Sequence, residues 1–239
     1  MESIKGFIIH SVHEPARAAH VQSILNQFSH IKRIEAIYPS QQKVPFLAKM
    51  IECSINRTGK ALTHGEIGVL LTNRWIWQQI VQNATDEQEH FLILESDSLI
   101  KEPTLLAKDF NTLTNAYDLF YFGGWLGHIQ LFRSTRKKWA NHFLVGEPYI
   151  KTLCSGYGYA LNKRAAALML ARTKKVGYAF DEVRRYLQQD ELKLGAVVPE
   201  WITQKPGESM IGKRPSIWVS DAIWRTLLDL RNWIICYFK

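Results

Sequence analysis

Cysteine is scarce in this sequence, which has three cysteines in 239 residues, namely Cys53, Cys154 and Cys236. Because they are odd in number and far apart, they argue against a disulfide framework and against a zinc site, and they suit a reducing compartment. Long apolar runs are missing as well. The start of the chain offers only the short run at residues 7–9, which lacks the length of a signal peptide, and no stretch reaches the roughly 18 apolar residues of a membrane span. We therefore expect a cytoplasmic protein.

Signatures of nucleic-acid binding are also missing, although the chain is basic. It contains 30 Lys and Arg against 22 Asp and Glu, for a net charge of +8, which favours anionic partners. The basic residues are spread along the chain, and no RNA-binding or helix-turn-helix signature accompanies them. We therefore expect no nucleic-acid partner and favour nucleotide diphosphates or anionic lipid surfaces.

The chain begins with a β-α-β pattern that lacks a glycine-rich phosphate loop. Residues 4–9 predict a first strand, residues 33–37 predict a second, and Pro15 marks the first turn of the helix between them. Such a start builds parallel sheets and often binds a nucleotide at its first strand-to-helix turn. Arg17 could supply positive charge there, although an arginine in a first helical turn is more often simply solvated.

The most informative stretch is residues 91–98, where four apolar residues are followed by acids at alternate positions, Glu95 and Asp97. Four apolar residues in a row predict a buried strand. Side chains alternate along a strand, so Glu95 and Asp97 should point to the same side, at the strand end where open α/β sheets bind ligands. Two carboxylates there suit a hard divalent cation that also binds substrate phosphates. Alternatively, the acids only solvate the strand end or cap the next helix.

Thr63 and Glu66 have the spacing of a capping box and predict the start of a helix. A cap explains Glu66, and so would a bond to a ligand. The buried face of this helix is predicted to consist of Ile67, Leu70, Leu71 and Trp75. The preceding residues 39–61, which contain Pro39, Pro45 and Gly59, predict mostly a long loop.

The second half of the chain continues the alternation of helices and strands. Helices are predicted at residues 103–114 and 163–171, and strands at residues 117–122, 154–161 and 194–198. Trp125 and His128, after the glycines that end one strand, could contact a sugar. Asp181 lies at the predicted start of another helix, where a role as N-cap would suffice. The alternation predicts one α/β domain over residues 1–215, with a mostly parallel central sheet flanked by helices.

Residues 216–239 predict an amphipathic helix that begins at Ser220 and Asp221. Its apolar stripe comprises Ile223, Trp224, Leu227, Leu228, Ile234, Ile235 and Phe238, flanked by Arg225, Arg231 and Lys239. The helix either packs on its own domain or lies in a membrane interface, where tryptophan and basic residues are common. The second interpretation would bring the protein to the inner face of a membrane.

In their order, these blocks resemble glycosyltransferase family 25, which includes bacterial lipooligosaccharide galactosyltransferases and collagen galactosyltransferases. The resemblance runs from Ile4 to about Ile211 and depends on the shared order rather than on any single block. The blocks are residues 7–9 with Arg17, Gly65-Glu66-Ile67-Gly68-Val69 with Thr72-Asn73, Leu94-Glu95-Ser96-Asp97, Tyr117-Asp118 through Gly123, Gly156-Tyr157-Gly158-Tyr159, Asp181, and Pro199 through Gln204 with Ser209.

The resemblance implies a GT-A-type, Rossmann-like domain that binds a nucleotide sugar through a divalent cation, Mn²⁺. It implies an inverting enzyme that moves a hexose, galactose, from a UDP-sugar to a glycan acceptor such as lipooligosaccharide. Asp97 would ligate the metal together with Glu95, and Asp181 would be the base that takes the proton of the acceptor hydroxyl. Lys205 or Lys213 could screen the diphosphate. The residues implied in donor binding are Arg17, Glu66, Glu95, Asp118 and Gln204.

Three positions depart from the family pattern. Ser96 stands in place of an acid, Thr72-Asn73 in place of Ser-His, and Val69 in place of Cys. The first two departures leave open a sugar-binding or nucleotide-binding relative without turnover. The other alternative is a nucleotidyltransferase, which shares the α/β core and the acids but would release pyrophosphate rather than a nucleoside diphosphate.

Overall fold

The computed structural model of the chain describes residues 4–124, 128–154, 156–205 and 219–239, the last range without side chains up to residue 225. The helices are α1 (Ala18–Gln27), α2 (Leu47–Thr58), α3 (His64–Asn83), α4 (Pro103–Thr114), α5 (Lys163–Arg172) and α6 (Val219–Phe238). The strands are β1 (Gly6–His10), β2 (Ile31–Glu35), β3 (Phe91–Glu95), β4 (Ser98–Ile100), β5 (Leu119–Tyr121), β6 (Lys137–Trp139), β7 (Phe143–Gly146), β8 (Gly158–Leu161), β9 (Leu194–Val198) and β10 (Ile202–Gln204).

Eight of these strands form one sheet in the order β2-β1-β3-β8-β5-β9-β7-β6, and β10 pairs with β4 in a separate antiparallel sheet. β1 pairs in parallel with β2 and β3, and β5 pairs in parallel with β9. β8 and β7 run antiparallel to both of their neighbours. Most strands of the large sheet therefore run in one direction, and the predicted Rossmann-like α/β class is confirmed.

Helices cover both faces of the sheet. On one face α3 and α5 pack around Ile9 and Ile93, and on the other α1 and α4 pack around Ile8, Leu92 and Leu94. Because β3 is covered on both sides, its residues from Phe91 to Leu94 are all buried. This explains why the strand is a continuous apolar run rather than an alternating one, and it holds the end of β3 in a fixed position.

Helix α3 begins where the capping box predicts. Thr63 Oγ1 accepts a hydrogen bond from Glu66 N at 3.1 Å, and Glu66 Oε2 accepts one from Thr63 N at 2.8 Å. The predicted buried face is only partly right, because Ile67 is buried but Trp75 is 44% exposed and Trp77 is buried instead. Because α3 packs against α5 as well as against the sheet, its buried side is not the one predicted and does not include Trp75.

The prediction of a long loop over residues 39–61 is wrong, because α2 occupies its second half. Ser54 is the buried residue of this helix, so most of its apolar side chains are only partly covered and give a weak signal. Gly59 adopts a left-handed conformation with φ 73° directly after the helix. A glycine in that conformation ends a helix, whereas the sequence interpretation took Gly59 as a sign of a loop.

Three further features of the second half of the chain differ from the sequence predictions. The predicted helix start at Asp181 is wrong, because a single 3₁₀ turn, Val183–Arg185, follows and Glu182 rather than Asp181 precedes it. The hairpin of β6 and β7 was not predicted. The predicted cap at Ser220 and Asp221 is also wrong, because Val219, which precedes both, already belongs to helix α6. Within the described residues, no helix is both long enough and apolar enough to cross a membrane.

We predict that Thr63→Ala lowers the free energy of unfolding by about 1 kcal/mol, because it leaves the Glu66 amide without its capping acceptor. Urea unfolding followed by circular dichroism measures the change. The matched control is Thr104→Ala, since Thr104 is exposed in the first turn of α4, where no side chain caps the helix. An equal loss in both variants would contradict the contribution of the capping box.

Candidate active site

The candidate site lies where β3 ends. After Glu95 the chain makes a tight turn through Ser96 and Asp97 and continues into β4. The turn is closed by the Ser98 hydroxyl, which accepts a hydrogen bond from Glu95 N at 2.9 Å. Ser96 and Asp97 are both buried. The sheet of β4 and β10 brings Gln204 opposite Ser98, so residues distant in sequence meet at this turn.

Asp97 is the best-connected carboxylate of the site. Its Oδ2 atom accepts a hydrogen bond from Gln204 Nε2 at 3.0 Å and lies 3.2 Å from Arg17 Nη2. Its backbone carbonyl accepts a hydrogen bond from Lys205 N at 2.7 Å. Its Oδ1 atom, in contrast, is buried without a hydrogen-bond partner among the described residues. One carboxylate oxygen is therefore held in place, and the other is available to a ligand.

A network of hydrogen bonds links Arg17 to the segment after β2. Arg17 Nη1 donates to Ser96 Oγ at 2.7 Å, and Ser96 Oγ donates to Glu14 Oε2 at 2.6 Å. Tyr38 OH donates to Glu14 Oε1 at 2.7 Å. Burial, reinforced by the hydrogen bond to Glu14, raises the pKa of Tyr38 well above its usual range, so the phenol remains a donor. Sequence analysis assigned no role to Glu14 or Tyr38.

The carboxyl group of Glu95 lies against a glycine. A Cβ atom on Gly156 would lie 2.5 Å from Glu95 Oε1 and 2.6 Å from Phe180 Cε1, so this position accepts only glycine unless its neighbours move. Burial, followed by the carboxylates of Asp97 and Asp181, raises the pKa of Glu95 to about 8. The Gly-Tyr block noted in the sequence therefore provides the close backbone approach that encloses this carboxyl group.

Two cavities adjoin at the first turn of α3. The first contains Arg17, Glu95, Asp97 and Gln204 in its lining, together with Gly65. The second is larger, about 670 Å³ against about 140 Å³. Its lining includes Arg57, Lys60, Glu66, Cys154, Tyr178, Asp181, Glu182 and Arg185. Because Gly65 and Glu66 are consecutive, the two cavities lie on either side of this turn.

The structure thus brings four of the predicted donor and metal residues together, namely Arg17, Glu95, Asp97 and Gln204. Asp181 lines the adjoining cavity and lies close enough to Glu95 to raise its pKa. The carboxylate of Glu66 borders the same cavity but is engaged in the helix cap.

Asp118 lies elsewhere. It directly precedes β5, and its strand partners place it at the end of the sheet opposite Glu95. Its carboxylate accepts hydrogen bonds from Asn162 Nδ2 at 3.1 Å, from Arg164 Nη1 at 2.9 Å and from Lys193 N at 2.8 Å. Asp118 therefore ties together the starts of β5, α5 and β9, and its placement gives no support to a role in donor binding.

The structure describes only some of the residues that were predicted to contact the sugar or to screen the diphosphate. His128 Nδ1 lies 3.4 Å from Asp229 Oδ2 on α6. Gly123 is required for close packing, because a Cβ atom there would lie 2.0 Å from the carbonyl oxygen of Ile202. Trp125, Ser209 and Lys213 lie outside the described residues.

Two of the side chains that depart from the family pattern, Asn73 and Ser96, form hydrogen bonds in the structure. Asn73 Oδ1 accepts a hydrogen bond from Tyr159 OH at 2.7 Å, and Tyr159 OH accepts one from Trp77 Nε1 at 3.0 Å. Asn73 is thus part of a buried network in the core. Ser96 bridges Arg17 and Glu14, so a carboxylate does reach position 96, from a different part of the chain.

The described side chains alone supply too few ligands to hold a divalent cation at this site, so the phosphates of a bound substrate would have to supply others. The described residues contain no group of three or more His, Cys, Asp or Glu side chains arranged to hold a metal. Asp97 Oδ1 is nevertheless an unpaired buried oxygen, and Glu95 lines the same cavity. Magnesium-like ions are commonly held by one or two carboxylates together with substrate phosphates and water, and these residues match that pattern.

Comparison with known proteins agrees with this geometry. The sequence model of glycosyltransferase family 25, described as an LPS biosynthesis protein, matches residues 4–184, which is 181 of the 239 residues. The match covers β1, the end of β3, the Gly-Tyr block and Asp181. No curated protein matches the chain. The resemblance noted in the sequence is confirmed, and the chain belongs to glycosyltransferase family 25.

Proposed function

We propose that this glycosyltransferase moves a hexose, galactose, from a UDP-sugar to a glycan acceptor such as lipooligosaccharide, and that it inverts the anomeric centre. The catalytic unit would be a GT-A-type domain over residues 1–215. The observation that carries the proposal is the carboxylate of Asp97, one oxygen of which is fixed by Arg17 and Gln204 while the other has no hydrogen-bond partner among the residues that the structure describes.

The charges of the first cavity support a donor that arrives with a cation. Three acidic side chains, of Glu14, Glu95 and Asp97, and one guanidinium, of Arg17, line it within the described part of the chain. Because the pKa of Glu95 is raised to about 8, this group is mostly protonated at neutral pH. The two remaining carboxylates still outnumber the guanidinium, and this excess of negative charge would repel a bare diphosphate. A divalent cation, Mn²⁺ in this proposal, would be held by Asp97 and Glu95 and would supply Lewis-acid neutralisation of the departing diphosphate. Arg17 is positioned to bind a phosphate oxygen.

Asp181 is the proposed base. It lines the larger cavity, which would take the acceptor, and it lies near Glu95 at the boundary with the proposed donor cavity. An inverting transferase needs a group that removes the acceptor proton as the hydroxyl attacks from the side opposite the leaving group. Asp181 would hold that hydroxyl and take its proton, while Gln204 and Arg17 keep Asp97 oriented.

The alternatives predict different products. A nucleotidyltransferase would release pyrophosphate, and a non-catalytic relative would release nothing. The contact of Glu14 with Ser96 weighs against the second, because it supplies an acid where the sequence lacks one. Incubation with UDP-galactose and Mn²⁺, assayed for UDP, and a separate incubation with UTP, galactose 1-phosphate and Mn²⁺, assayed for pyrophosphate, distinguish all three.

We predict that Asp97→Asn lowers UDP release by about 100-fold or more while the fold is retained, because the variant loses the charge that holds the cation. The matched control is Asp190→Asn, since Asp190 is exposed and lies outside both cavities. Undiminished activity of the unmodified protein in excess chelator would refute the role of the metal.

We predict that Asp181→Asn lowers turnover by about 100-fold or more, the usual contribution of a general base, while the affinity for UDP and Mn²⁺ changes less than about twofold. Single-turnover kinetics and calorimetry measure the two quantities. Glu182→Gln, in the same cavity, is the matched control. A loss of donor affinity in Asp181→Asn that equals the loss of turnover would remove Asp181 from the role of base.

Glu95 should make the metal-free protein less stable at alkaline pH. Its pKa rises from 4.5 to about 8 on folding, so its ionised form opposes folding, and this cost grows as the pH rises from 4.5 to about 8. Glu95→Gln removes the cost. We therefore predict that the melting temperature of the variant, relative to the unmodified protein, is higher at pH 8.5 than at pH 5, measured in chelator. A pH-independent difference would contradict the shifted pKa.

A further inference from the structure

Helix α6 exposes a broad apolar face. Several large apolar side chains project from its described part, with Leu230 54% exposed, Trp233 51% exposed and Phe238 83% exposed. The other exposed members are Leu227, Ile234 and Tyr237. Their spacing of three and four residues places them along one side of the helix. Apolar patches of this kind mark interaction surfaces on soluble proteins.

The opposite side of α6 is fixed to the domain. Cys236 and Asn232 are buried. Gln130 binds the helix twice, since its Nε2 atom donates to the carbonyl oxygen of Asp229 at 3.3 Å and its own carbonyl oxygen lies 3.9 Å from Cys236 Sγ. The guanidinium of Arg133 also lies 4.4 Å from the ring centre of Tyr237. These contacts fix the rotation of the helix, so its apolar side faces outward.

Basic side chains lie at the edge of this apolar face and near it. Arg133, whose guanidinium lies beside Tyr237, belongs to a 3₁₀ turn that contacts α6. Arg136, Lys137 and Lys138 follow it in the chain and are exposed. Arg231 and Lys239 add exposed positive charge on the helix itself. Within residues 226–239 the acid is Asp229, which lies beside His128.

We propose that the apolar face of α6 and its basic border bind the surface of a membrane that contains anionic lipids. The helix would lie in the plane of the interface, with its aromatic and aliphatic side chains among the acyl chains and its basic border against phosphate headgroups. A second copy of the chain is a poorer partner, because a two-fold interface through this face would bring like charges together.

The position of α6 suits an acceptor anchored in that membrane. Gln130, which binds the helix, follows β5. β5 runs in the same direction as β3, since both pair antiparallel with β8, so its carboxyl end lies at the same edge of the sheet as Glu95. The helix is therefore attached through a segment that leaves the edge of the sheet where the cleft lies.

The test is sedimentation of the full chain with vesicles, without donor or acceptor. Vesicles of phosphatidylglycerol and phosphatidylethanolamine should bind it, with binding that weakens as salt is added, and vesicles of pure phosphatidylcholine should bind it at least about tenfold less. The double variant Trp233→Ser/Phe238→Ser should lower the partition coefficient by at least about tenfold. Arg133→Gln and Arg231→Gln should each lower it about fivefold.

The control is Trp75→Ser, because Trp75 is similarly exposed but lies on α3. It should bind vesicles as the unmodified protein does. The proposal is overturned if anionic vesicles do not retain the protein, if Trp75→Ser loses as much binding as the double variant, or if light scattering finds a dimer that Trp233→Ser/Phe238→Ser dissociates. Hydrolysis of UDP-galactose by the same variants in free solution should be unchanged, which separates failure of this proposal from failure of the proposed function.

Discussion

A carboxylate that is withdrawn from water has to be paired, and the pairing of Asp97 organises the cleft. Arg17 approaches it from the turn that follows β1, and Gln204 approaches it from the end of β10. Both bind the same oxygen, so the first helical segment, the small sheet and the end of β3 have fixed positions relative to one another. The second oxygen has no partner within the described part of the chain, and this is the atom that the proposed function assigns to the cation.

The first cavity is lined mainly by acidic side chains, whereas the chain as a whole is basic. The protein as a whole carries a net charge of +8, yet carboxylates outnumber the single guanidinium in the lining of the first cavity. The raised pKa of Glu95 is the local response to this crowding, since a proton on Glu95 relieves the repulsion from Asp97 and Asp181. Basic residues instead lie around α6 and in the lining of the second cavity, where the ring of Tyr178 lies 5.4 Å from Arg57 and 5.6 Å from Arg185.

Local patterns allowed the fold and half of the site to be predicted from the sequence. The apolar run of β3 and the cap of α3 depend on neighbouring residues, so the sequence reveals both. Glu14 and Tyr38 were missed because their roles depend on contacts across 82 and 24 residues, which no local pattern encodes. The family resemblance implied either a structural role or a donor-site role for Asp118. The direction and pairing of β5, which the sequence block does not reveal, place Asp118 at the end of the sheet opposite Glu95.

The order of strands has a consequence for synthesis on the ribosome. β8 lies between β3 and β5 in the sheet, although it follows both in the chain. Until residues 158–161 emerge, the inner edge of β3, a strand of four apolar residues and Glu95, has no strand to pair with. Such an edge is a template for pairing with other chains. This edge therefore stays open while residues 96–157 are made and closes only when β8 is added.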